Sequence, residues 1–139
     1  MSKAVELQDG IFNALDADAA LSALVVAIYD NPLEVEDPGD RNEFPFLTIG
    51  DTIIEPWNSD TERGTEATVT IHTWARSHAF RPVKQIQQAI YNVMDRGTIV
   101  ISGAVFIASD SISQDAQRDP DGITIHGTQQ FRIIYDEVN

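Results

Sequence analysis

The clearest pattern in the chain is an alternation from Glu66 to Trp74, with Ala67, Val69, Ile71 and Thr73 at one parity and Glu66, Thr68, Thr70, His72 and Trp74 at the other. Period two places the first set on one face of a strand and the second set on the opposite face. Thr65–Arg76 is therefore expected to be a strand with one face on a core. After the breaker-rich SHAFRP, the residues Val83, Ile86, Ala89, Ile90, Val93 and Met94 recur at spacings of three and four, which gathers them into one stripe of a helix. Pro82 suits the first turn of that helix and Gly97 the position past its end. A strand and a helix that each have one apolar side have to bury those sides against each other.

The remaining segments read as additions to this unit. Ala4, Leu7, Ile11 and Leu15 have helical spacing, with Gly10 as a costly interior residue. Asp16 or Asp18 can cap a second short helix over residues 19–27, ending in an extended piece at Ile28 and Tyr29. Residues 45–56 are strand-like with a bulge expected at Gly50, and a short connection makes an antiparallel pairing with the 65–76 strand the simplest one. Thr98 to Ser102 and Ala104 to Gln114 are expected as two strands separated at Gly103. DPDG at 119–122 predicts a turn, with Asp121 bonding locally and Gly122 at positive φ. The last strand, 123–135, has Ile123, Ile125, Phe131, Ile133 and Tyr135 on one face and Thr124, His126, Thr128 and Arg132 on the other. The order α-α-β-β-α-β-β-β defines an α+β fold, with helices packed on one face of a mostly antiparallel sheet.

Length places 1–139 in a single domain, large enough to bury about 68% of the surface its unfolded chain exposes. Residues 30–43 hold six acids, one base, two prolines and a glycine, a composition expected for a mobile acidic loop. Four of its carboxylates, Glu34, Glu36, Asp37 and Asp40, lack the ligand spacing of a calcium loop. With 22 acidic against nine basic residues the net charge is −13, which repels phosphate and anionic lipid and argues against sequence-specific DNA binding. The exception is 74–96, which has four bases and one acid. That segment is either a solvated helix face or a docking surface for an acidic partner, a further copy of this chain included. The absence of cysteine removes disulfides and thiolate sites from consideration. The charged start and the lack of a long apolar run predict neither a signal peptide nor a membrane span, and synthesis in a cytoplasm.

No phosphate-binding glycine loop, nucleophile elbow or HExxH is found, so no catalytic, cofactor-binding or metal-ligating residue is assigned and a non-enzymatic role is expected. His78 lies in a loop. His72 and His126 sit on polar strand faces, where a hydrogen-bonded or solvated imidazole is the ordinary outcome. They would meet a carboxylate in one cluster only if their strands are neighbours. Trp57 and Trp74 either close an edge of the core or anchor a subunit contact.

Taken in order, ALDADAALSALV, an IYD stop, FPFLTIGD, HTWAR, the amphipathic helix and RDPDGITIHGTQQFRIIY make the chain resemble the tail-completion proteins of long-tailed bacteriophages, prophages and gene transfer agents, also called tail terminators or head-to-tail joining proteins. The likeness runs from Ala4 to Tyr135, and Trp74 and the 118–127 segment are its most distinctive parts. The acidic 30–43 loop is longer and more acidic than the family pattern leads one to expect. The resemblance implies a structural protein of the virion tail neck, assembled in the host bacterial cytoplasm. Such a protein forms a ring, commonly a hexamer, on the head-proximal end of the tail tube, where it stops polymerisation of the major tail tube protein and offers a surface to the head connector or head-completion protein. Duplex DNA would pass through without specific binding, and no cofactor or membrane is implied. The rival readings are another neck or minor tail protein, a stand-alone adaptor, and a small α+β enzyme or ligand-binding domain. The residues expected at interfaces are Trp57, Trp74, Arg76, Arg81, Lys84, Arg118, Asp119 and Asp121.

Overall fold

In a computed structural model, residues 3–30, 44–58 and 63–137 are described. The elements are α1 (Ala4–Asp16), α2 (Ala19–Ser22), β1 (Ala27–Tyr29), β2 (Phe46–Asn58), β3 (Arg63–Arg76), α3 (Arg81–Met94), β4 (Ala104–Arg118) and β5 (Thr124–Glu137). The strands form one sheet in the order β1-β2-β3-β5-β4, antiparallel throughout except for the parallel β1–β2 pair. The α+β class and the mostly antiparallel sheet agree with the sequence. The expected acidic loop lies outside the described residues, apart from Asp30 at its start.

The alternation along β3 is realised without exception. Ala67, Val69, Ile71, Thr73 and Ala75 are buried, and every even residue from Gly64 to Arg76 is partly exposed. Leu7, Ile11 and Leu15 of α1 and Ile86, Ile90 and Met94 of α3 pack with these strand residues and with Phe131, Ile133 and Tyr135 of β5 into one core. Among the described residues all helices thus lie on one side of the sheet, and the even-numbered side is left without a helix. Each buried aliphatic or aromatic side chain on the covered side contributes roughly 1.5–3 kcal/mol relative to exposure, which makes this side the source of stability.

Two departures from the expected order have local causes. Thr98–Ser102 is not a strand: Ile99 and Ile101 turn into the core, and Val100 presents its carbonyl to α1. A Cβ on Gly10 would lie 2.3 Å from that carbonyl oxygen, so the glycine in α1 permits close packing that an alanine would block. The missing strand is replaced by β1, where the extended piece at residues 27–29 pairs with Phe46–Thr48. β4 also runs four residues beyond the expected Gln114, to Arg118.

The punctuation of the chain behaves as its residue types require. The β2–β3 register shifts between Ile49 and Thr52, at the expected bulge. Asp18 caps α2, its carboxylate accepting from the Leu21 amide at 2.9 Å. Pro82 lies in the first turn of α3. The helix ends at Met94 with Arg96, rather than Gly97, in the left-handed region. Between β4 and β5, Asp121 accepts from the Ile123 and Thr124 amides and from the Thr124 hydroxyl, and Gly122 has φ 78°.

Candidate interface surfaces

The uncovered side of the sheet begins with the register. Phe46, Trp74, His126 and Gln117 occupy one row across β2, β3, β5 and β4. Sequence alone cannot set this alignment, since it depends on bulge positions. Trp74 stacks on His126 with ring centroids 3.9 Å apart and 6° between planes, and on Phe46 at 6.2 Å. Its indole Nε1 donates to the Thr48 hydroxyl at 3.2 Å. Tyr29 and Phe44 flank Phe46 at 5.6 and 5.1 Å, which extends the row to β1 and to the approach to β2.

β3 and β5 are neighbours, so the two strand histidines do meet. His72 Nδ1 and His126 Nε2 are 2.6 Å apart and share one hydrogen. One ring therefore has to accept, and the pair is stable with at least one neutral imidazole. Partial burial lowers both pKa values; for His72 the neighbouring His126 lowers it further, against the opposing pull of Asp51 and Asp115. Gly50 makes room for this arrangement, because a Cβ there would lie 2.8 Å from the His72 ring. Among the described residues no group of three or more His, Cys, Asp or Glu side chains is placed to hold a metal ion.

A second surface lies where α3 begins and β3 and β4 end. Arg118 donates to the backbone carbonyls of His78 at 2.9 Å and Gly122 at 3.1 Å, tying the loop before α3 to the last turn. The Arg118 and Lys84 cations lie 5.2 and 5.9 Å from the centroid of the Phe80 ring. Arg76 lies 4.6 Å from the centroid of Phe44 and, with His78, Pro82 and Ile123, lines a cavity of about 280 Å³. Arg81 is exposed in the first turn of the same helix. Four of the cations named from sequence, Arg76, Arg81, Lys84 and Arg118, thus gather at one end of the molecule. Phe44, Phe46 and Phe80 are the residues that sequence reasoning missed. Phe80 had a visible signal, an aromatic one residue before a basic helix start.

The other named residues are dispersed. Neither tryptophan closes the core. Trp74 stands in the aromatic row on the uncovered side, and Trp57 is exposed near the far end of β2, its ring lying over the Gly64 backbone. Asp121 is committed to the turn by its three hydrogen bonds, which hold its carboxyl below the usual carboxylate range. Asp119 bounds the same turn: its amide donates to the Thr124 carbonyl and its carbonyl accepts from Gly122.

The described residues thus form a small α+β domain with helices on one side of the sheet, a half-buried aromatic row on the other and cations gathered at one end. Residues 9–136 match the family described as tail completion protein gp17, and the chain belongs to that family. The tail completion protein gp17 of Bacillus phage SPP1 is 24% identical over 98 residues, covering 70% of this chain and 72% of the relative. In fold, the chain is similar to a chain in the virion of a native gene transfer agent particle, with TM-score 0.80, 21% identity and 94% of each chain covered. It is also similar to the bacteriophage SPP1 gp17 structure, with TM-score 0.62, 20% identity, and 97% of this chain and 90% of that one covered.

Proposed function

We propose that the protein is a structural component of the virion tail neck that forms a ring on the head-proximal end of the tail tube, ends tube polymerisation and joins the tail to the head connector. The observation that carries this reading is membership of the tail completion family over residues 9–136, nearly the whole chain. The fold match to a chain of an assembled gene transfer agent virion supports it. A ring built from one chain needs two different patches that fit each other on neighbouring copies. The cationic end, Arg76, Arg81, Lys84 and Arg118, supplies one charged patch in a molecule of net charge −13.

The negative balance also suits a passage for duplex DNA, because a wall that neutralised phosphates would retain DNA through counterion release. The uncovered side supplies polar positions of this kind, including Thr68, Thr70, Thr128 and Gln130, with Asp110 and Asp115 on the adjacent strand. The protein mixed with tail tubes is expected to cap one tube end, visible by negative stain, with a molar mass in solution that rises from the free chain to a ring on tubes. Uncapped tubes after saturation with protein would overturn the proposal. Tight binding of duplex DNA with a steep salt dependence would remove the sliding passage.

A further inference from the structure

The two edges of the sheet are each guarded over one half and, among the described residues, bare over the other. β1 covers β2 at Phe46–Thr48, and among the described residues no strand covers it beyond. On the opposite edge, α3 and the turn after it occupy the backbone of β4: the Arg96 amide donates to the Ser109 carbonyl at 2.7 Å, Asp95 accepts from the Ser111 amide at 2.9 Å, and Gln87 donates to the Asp115 carbonyl at 2.7 Å. The Ala104 amide donates to the Ile101 carbonyl at 3.1 Å in the turn before β4, and no such group meets Val105–Ala108 among the described residues. Strand edges are normally blunted by covering elements or charge, since an unpaired ladder invites another strand. Here the covered stretch of β4 is polar, SDSISQDAQR, and the bare stretch is VFIA.

The two bare segments lie at the same height in the sheet. Glu55 aligns through Glu66 and Ile134 with Ala108, and Pro56 aligns through Thr65 and Tyr135 with Phe106. The guarded halves share the other height, since Phe46 aligns with Gln117 by the same route. β2 and β4 run in opposite directions, so copies related by rotation about an axis along the strands bring them together antiparallel, the pairing that a sheet extends most readily. On the exposed side β2 carries Ile53, 58% exposed, and Trp57, 44% exposed, with Glu55 between them, and β4 carries Val105, 56%, and Ile107, 42%. Pro56 removes one donor from β2 and a bulge interrupts β4 between Phe106 and Ala108, so the joint is short and relies on these side chains as well as on backbone hydrogen bonds.

We propose that Glu55–Trp57 of one copy pairs with Val105–Ala108 of the next, joining the sheets edge to edge around the assembly. This rests on the ring reading above, and the partner is a second copy of this chain. The absence of native cysteine allows a direct test. A chain carrying both Glu55→Cys and Ile107→Cys, assembled on tail tubes and treated with a short thiol cross-linker, is expected to give a ladder of covalent multimers. Each single-cysteine chain should give no ladder, and a mixture of the two singles dimers only. In parallel, Trp57→Lys with Ile107→Lys should lose the ring by electron microscopy while the free chain keeps its circular dichroism spectrum. Rings that form with neither a ladder nor a loss in the lysine variant overturn the edge joint and leave the ring reading standing. Saturated wild-type tubes with no ring overturn both.

Discussion

The two sides of β3 differ more than any two elements of the molecule do. On one side Ala67, Val69 and Ile71 are fully buried under α1 and α3; on the other, Glu66, Thr68, Thr70, His72 and Trp74 stay partly exposed, with no helix above them among the described residues. The same backbone thus carries a stability side and an open side, separated by one residue of register. What this teaches is that mutational cost should report side rather than position along the strand, and that loss of assembly without loss of folding should be confined to the uncovered side, the bare edges and the cationic end.

The largest effect is expected at Phe131, which is fully buried on the covered side of β5. Phe131→Ala should cost about 3–5 kcal/mol in denaturant unfolding by leaving a cavity, whereas Thr128→Ala on the uncovered side should stay within about 0.5 kcal/mol. Comparable costs at the two positions would erase the distinction between sides. Gly10→Ala tests the helix layer itself. The added methyl would sit 2.3 Å from the Val100 carbonyl oxygen, so the change should destabilise by about 1–3 kcal/mol despite the higher helix propensity of alanine. A stabilised variant would mean that α1 does not pack this closely.

On the uncovered side the expected effects are smaller. Trp74→Phe removes the hydrogen bond to Thr48 but keeps an aromatic ring between Phe46 and His126. It should cost about 0.5–1.5 kcal/mol in the same unfolding measurement. The smallest effect is pH-dependent. The pKa values of His72 and His126 are lowered in the folded chain, so between those values and the ordinary 6.5 the unfolded chain binds more protons. The contribution is complete above pH 6.5 and is lost as pH falls through the folded values. A melting temperature that declines over that range, and declines less in His126→Gln, is the expected result; an unchanged slope in the variant would detach the effect from the pair.

How much of this was legible in the sequence follows from the range of the forces involved. The period of β3, the stripe of α3 and the DPDG turn are local, so residue spacing and backbone chemistry identify them. The 98–102 segment misleads because Ile99, Val100 and Ile101 are β-branched residues, and only tertiary packing decides that Ile99 and Ile101 join the core as an irregular segment. Residues 27–29 become a strand only because β2 offers a partner. The cationic end was half visible as a net-positive stretch, but Arg118 enters it from β4, about 40 positions away in the chain, held by bonds to the loop before α3. The aromatic row and the histidine contact needed the register of three strands, which depends on bulges that alternation alone does not place. Trp57 and Trp74 were expected at a core edge or an interface, and their large apolar rings do not reveal which side of a strand stays uncovered.

The most direct test is tail length in particles assembled without this protein, measured by electron microscopy and compared with particles in which it is restored. The account predicts overlong or ragged tubes that fail to join heads, returning to uniform, joined tails on restoration. Tubes of normal length joined normally to heads in its absence would contradict it.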